Sequence, residues 1–281
     1  MHRIALVVRN LLLAVALLVT TTPVGAGSQT VLVGAGDIAS CSYTRDSATA
    51  QVVQGIPGTV FTTGDNAYPD GTAAEFANCY DPTWGSFKSR TRPSPGNHDY
   101  HTYKATAYRE YFGVRKWYAY NSGSWRIYAL NSEVQTGRWS KQFAWLKADL
   151  EANPRKCVAA YWHRPVFSSG YHGNSTKMQR ITRLLYNKGA DVIIAGHDHN
   201  YERFAPMKWD GTLDRQRGIR HFVVGTGGAA LRKFGTIKAN SEVRNHTTYG
   251  VLKLTLSASG YSWKFVPALG TFTDAGSGTC H

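Results

Sequence analysis

The sequence predicts an α/β protein whose alternating strands and helices give way to a strand-rich C-terminal third. Three observations predict it. Short apolar runs end in glycine at Val31–Gly36, Thr59–Gly64 and Asp191–Gly196. The stretches between them space their apolar residues helically. After Ala195, the runs Gly218–Gly225, Gly250–Leu256 and Tyr261–Val266 read as strands without intervening helical pattern, which adds antiparallel strands to an α/β core.

In chain order, Val31–Gly36 is a buried strand, Asp46–Gln54 a helix and Thr59–Thr63 a second strand. Ala73–Tyr80 and Thr102–Tyr111 are short helices. Trp117–Asn121 and Ser124–Asn131, rich in Trp, Tyr and Ile, flank Ser122-Gly123 as a β-hairpin. Trp139–Leu150 is a helix ending before Pro154, and Cys157–Trp162 is a strand. Lys177–Asn187 is a helix stopped by Gly189, and Asp191–Ala195 is a strand. Neither a Pro/Ser-rich linker nor an internal repeat interrupts this order, so residues 27–281 are expected to form one domain.

Residues 1–26 read as a secretory leader: Arg3 and Arg9, the apolar run Leu11–Val19, then Val24-Gly25-Ala26. The uncharged stretch from Asn10 to Thr22 is shorter than the ~20 residues of a spanning helix, and no later segment is apolar enough to span a membrane. A secreted protein is expected, placed extracellularly, in the cell wall or in the periplasm. The 32 basic and 18 acidic residues give a net charge of +14, which attracts polyanions non-specifically. No dense basic run or nucleic-acid-binding motif accompanies it. Gly225–Ala230 lacks the spacing of a nucleotide-binding loop.

Five polar clusters follow strand ends or glycine turns: Asp37, Asp65, Asn97, His163, and the pair His197 and His199. Sites in α/β sheets form at the carboxyl ends of strands, so these loops can meet at one edge. Carboxylate, amide oxygen and imidazole are donors for Zn, Mn and Fe. One carboxylate between two cations can bridge them, and two metals about 3.5–4 Å apart can clamp the attacking and leaving oxygens of a phosphate ester. Four cysteines in an exported chain suggest two disulfides, with three possible pairings. Cys41 and Cys79 each follow one of these clusters closely, which favours Cys41–Cys79 with Cys157–Cys280.

The ordered motifs Gly36-Asp37, Gly64-Asp65-Asn66-Ala67-Tyr68, Gly96-Asn97-His98-Asp99, His163 and Gly196-His197-Asp198-His199 resemble the calcineurin-like metallophosphoesterase superfamily. Many members carry Asp-x-His in the first motif, where this chain has Ala39. Tyr68, three residues after Asp65, stands where the purple acid phosphatase branch has an iron-binding tyrosine, so the chain resembles that branch. Position 99 is Asp, whereas that branch more often has Glu.

The resemblance implies a four-layer α/β/β/α sandwich with two mixed sheets. It implies two metal ions, Fe(III) plus a divalent Zn, Mn or Fe. Asp37, Asp65, Tyr68 and His199 would hold the first, and Asp65, Asn97, His163 and His197 the second, with Asp65 bridging. His98 would stabilise the phosphoryl group or protonate the leaving group, with Asp99 orienting it. His172 would be a proton donor or substrate contact. The implied reaction is hydrolysis of a small phosphate monoester by a hydroxide generated on the metals. A phosphodiesterase or nuclease on the same site is the alternative, and a non-catalytic binder of polyanions or cell wall is a further one.

Overall fold

A computed structural model describes residues 1–2 and 29–281. Residues 3–26 of the expected leader, with its boundary, lie outside the described residues. Among these no helix is long and apolar enough to cross a membrane.

Two mixed sheets carry the fold. The first contains β1 (Thr30–Ala35), β3 (Thr59–Thr63), β5 (Thr91–Ser94), β13 (Tyr249–Leu256), β14 (Gly260–Leu269) and β15 (Ala275–Thr279), in the order β15-β14-β13-β1-β3-β5. The second contains β6 (Tyr118–Ser122), β7 (Trp125–Ala129), β8 (Val158–Tyr161), β9 (Val192–Ala195), β10 (Tyr201–Phe204), β11 (Arg220–Val224) and β12 (Ser241–Asn245). Its order is β12-β10-β11-β9-β8-β7-β6. A small parallel pair, β2 (Ala39–Ser40) and β4 (Ala67–Tyr68), lies beyond the ends of β1 and β3. In the first sheet β1, β3 and β5 run parallel; in the second β7, β8, β9 and β11 do.

The sheets pack face to face through aromatic pairs: Phe61 with Tyr161, Tyr201 with Phe265, Phe222 with Trp263 and Trp125 with Tyr261. Burial of such rings is the main favourable term in the core. Helix α1 (Arg45–Gln54) covers the first sheet through Ala50 and Val53. The second sheet is covered by α4 (Lys141–Ala152), through Leu146 and Leu150, and by α5 (Gln179–Asn187), through Ile181 and Leu185. This is the expected four-layer sandwich. Short α2 (Ala73–Glu75) continues into a π-helical turn at Phe76–Tyr80. The helix α3 (Thr106–Phe112) starts later than expected, because Lys104 and Ala105 adopt left-handed backbone (φ 54° and 51°). Likewise α4 starts at Lys141, since Ser140 caps it by accepting from Phe143 N and leaves Trp139 outside. The disulfides are Cys41–Cys79 and Cys157–Cys280, the favoured pairing.

His221 on β11 is buried against Phe167, with its Nε2 unpartnered, and burial pushes its pKa down to about 3. An unfolded histidine titrates near 6.5, so between about pH 6.5 and 3 the unfolded chain binds a proton that the folded chain refuses. Stability contributed by neutral His221 is therefore complete above about pH 6.5 and is lost as pH falls through that window, by roughly 5 kcal/mol in all. His221→Leu is expected to lose less stability than wild type between pH 7 and pH 4, as read from urea midpoints.

Candidate metal centre

The parallel halves of both sheets end at the same edge, and the five clusters leave it together. Asp37 follows β1, Asp65 follows β3, Asn97 follows β5, His163 follows β8, and His197 and His199 follow β9. Backbone bonds from Asp37 N to Gly64 O, Ile38 N to Asp65 O and Ala39 N to Asn66 O lay the first two loops side by side. The β2–β4 pair continues this register and carries Tyr68 back over both aspartates. Ala39, where a histidine ligand is absent, pairs with Ala67.

Asp37, Asp65 and His197 all have left-handed backbone, with φ of 60°, 48° and 70°. That conformation is costly for residues with a Cβ and persists where surrounding structure over-determines it. Gly96 lets the third loop close on the second: a Cβ there would stand 2.1 Å from Asp65 Oδ1.

Asp65 is the hub. Its Oδ2 lies 3.1 Å from His163 Nε2 and 3.2 Å from Tyr68 Oη, and its Oδ1 accepts from His98 N at 2.8 Å. Tyr68 Oη lies 3.0 Å from Asp37 Oδ1 and 3.2 Å from His199 Nε2. His163 Nε2 is 3.1 Å from both Asn97 Oδ1 and His197 Nδ1. All seven predicted ligands thus converge in two groups that share Asp65. The distal ring nitrogens are pinned: His163 Nδ1 to Thr63 O at 2.8 Å and His199 Nδ1 to Ala230 O at 2.9 Å. Such outer contacts aim the other nitrogen inward, as at a metal site.

Burial opposes charge on both partners, yet His163 is held well above the usual imidazole pKa by Asp65 and then Asp37, while His163 and then His98 hold Asp65 low. Burial, Asp37 and Asp65 push Tyr68 far up. Two buried carboxylates within reach of three imidazoles, an amide and a phenol form an oxygen- and nitrogen-rich set that fits first-row metals. His197 differs, because its Nε2 meets Arg164 Nη1 at 3.0 Å. A guanidinium only donates, so Nε2 accepts there, and binding a cation through Nδ1 requires Arg164 to move off.

Two expected roles change. Asp99 does not orient His98. Its buried carboxylate accepts from Gly96 N at 2.8 Å and from Asn66 N and Nδ2, which staples the third loop to the second. Burial and then Asp65 raise its pKa to about 7. The His98 ring lies over Tyr68, with its Nε2 3.9 Å from Asp65 Oδ2 and its Nδ1 at the Pro69 carbonyl. His172 stacks on His197 at 4.2 Å, but its Nε2 accepts from Arg232 Nη1 at 3.1 Å, which leaves no proton there to donate.

Sequence reasoning missed the residues behind the ligands. Asp198 ties His172 N and Ser168 Oγ, and Asn66 links Thr62, Ser94 and Asp99. Both sit inside the motifs as spacers, and their burial is the missing signal. Arg164, held by Glu133, directly follows His163, whereas Arg232 had no local signal.

Residues 32–201 match the family model for calcineurin-like phosphoesterases, and the chain belongs to that family. Within it the chain resembles the purple acid phosphatases. It is 25% identical over 236 residues to purple acid phosphatase 15 of Arabidopsis thaliana, covering 69% of this chain and 44% of that protein. Among solved structures, a purple acid phosphatase from yellow lupin seeds superposes with a TM-score of 0.75 at 19% identity, covering 89% of this chain and 54% of that one. GAP50, described as the anchor in the inner membrane complex of Plasmodium, superposes at 0.70 with 18% identity over 88% of each chain. The chain spans less than half the length of that Arabidopsis relative.

Gly96→Ala is expected to displace Asp65 and to lower the metal bound per folded chain, measured by elemental analysis beside a circular dichroism spectrum unchanged from wild type.

Proposed function

We propose that this chain is an exported dinuclear metallophosphatase that hydrolyses small phosphate monoesters. The observation that carries the reading is the convergence of seven donor side chains, from five strand-end loops, in two groups that share the buried Asp65 carboxylate. In this reading Asp37, Asp65, Tyr68 and His199 hold one metal and Asp65, Asn97, His163 and His197 the other. Tyr68 favours Fe(III) at the first position, beside a divalent Zn, Mn or Fe at the second. Bound there, two cations supply charge for the phosphoryl oxygens and acidify a water.

The chain's own groups do the rest. Asp65 and Asp37, fixed by backbone N–H bonds from His98 and His197, hold their oxygens without reorganising. His98, 30% exposed, donates Nδ1–H to the Pro69 carbonyl, so its Nε2 offers an N–H to a phosphoryl or leaving oxygen as the imidazolium. The two disulfides support export, since such bonds persist in oxidising compartments.

A diesterase on the same site is favoured only by the net charge of +14. A non-catalytic binder of polyanions or cell wall is the further reading, and the complete donor set opposes it.

On the purified protein, turnover of 4-nitrophenyl phosphate is expected to exceed that of bis(4-nitrophenyl) phosphate, and His163→Ala is expected to lower it at least about 100-fold. The opposite order would make the enzyme a diesterase, and equal activity in wild type and variant would remove this site from the reaction. The iron-loaded protein is expected to be violet and Tyr68→Phe to lose the band. A colourless wild type holding only zinc would refute the iron assignment alone.

A further inference from the structure

We propose that Arg232 selects substrates whose leaving group carries a second phosphate, so that the preferred class is phosphate esters or anhydrides bearing two phosphate groups. This rests on the phosphatase reading above. A cavity of about 320 Å³ is lined by Tyr68, His98 and His199 together with Ser42, Tyr43 and Arg232. No carboxylate is among its lining residues, and Arg232 is the one fixed cation there. A leaving group extending from the candidate metals into this cavity has hydroxyls, aromatic rings and one guanidinium available on its walls.

Arg232 is built in. Its backbone N donates to His199 O at 2.9 Å, which ties its position to a ligand. Its Nη1 donates to His172 Nε2 at 3.1 Å, and its guanidinium carbon lies 5.5 Å from the Tyr171 ring centroid. Arg126, Arg164, Arg203 and Arg220 each pair with a carboxylate, whereas among the described residues Arg232 forms no such ion pair. A guanidinium has five donors in a fork that matches phosphate oxygens, and most of this fork is left for a ligand.

Position separates this role from binding of the reacting phosphoryl group. The His172 ring lies between Arg232 and His197, stacked on the latter at 4.2 Å. The guanidinium therefore stands one side chain beyond the ligand atoms, where a neighbouring phosphate and not the reacting one would sit. His172 is a positioning residue for Arg232 in this arrangement.

The test is the ratio of two affinities, measured by calorimetry on metal-loaded protein: methylenediphosphonate, with two phosphonates, against methylphosphonate, with one. Arg232→Met is expected to lower the preference for the diphosphonate about 10- to 100-fold, the loss of one charged hydrogen-bonded pair. Arg232→Lys is expected to restore part of it. An unchanged ratio in Arg232→Met overturns the proposal, whether or not both affinities fall together. Wild-type turnover of 4-nitrophenyl phosphate separates the two levels. Without that turnover the phosphatase reading fails, while an unchanged ratio in an active enzyme fails the Arg232 assignment alone.

Discussion

The structure turns on keeping the Asp65 carboxylate charged where water barely reaches it. The residue is 1% exposed, its backbone is left-handed, and its oxygens meet groups from the second, third and fourth loops. Such a charge is tolerated only when it is paired and hydrogen-bonded. Much of the surrounding architecture serves that end. The parallel pairing of β1, β3 and β5 aligns three loops at one edge. The facing sheet delivers His163, whose Nδ1 reaches across to Thr63 O on β3. Asp99, with Asn66, fastens the third loop to the second, so Asn97 and His98 inherit their positions from a buried hydrogen-bond cluster.

Most of this was legible in the chain because the site elements are the strongly patterned ones. Val31–Gly36, Thr59–Gly64 and Asp191–Gly196 are buried parallel strands, which read as continuous apolar runs. The strands that went unread had physical reasons to hide. β5 contains Pro93, tolerated because β5 is an edge strand; β12 and β15 are edges with polar or small residues. β10 is interior but carries Glu202 and Arg203, buried through Ser169 N and Asp274, partners that no local pattern reveals. Asp37, Asp65, Asn97, His163, His197 and His199 stand out by their places after strand ends and glycine turns, and Tyr68 by the family resemblance. Asp198, Asn66, Arg164 and Arg232 do not, since their roles depend on contacts made only after folding.

Family membership does not settle chemistry, because one fold hosts both a lupin phosphatase and a Plasmodium anchor at similar superposition. The local evidence decides more. Where the first motif has Ala39 and no histidine, β2 pairs with β4 and brings Tyr68 to within 3.2 Å of Asp37, Asp65 and His199.

The most direct test of the central claim is anomalous diffraction from crystals of the metal-loaded protein at the iron edge and at the edge of the second metal. Two peaks about 3.5–4 Å apart are predicted, flanking the Asp65 carboxylate, with iron on the Tyr68 side. A single peak, or peaks away from Asp65, would contradict the account.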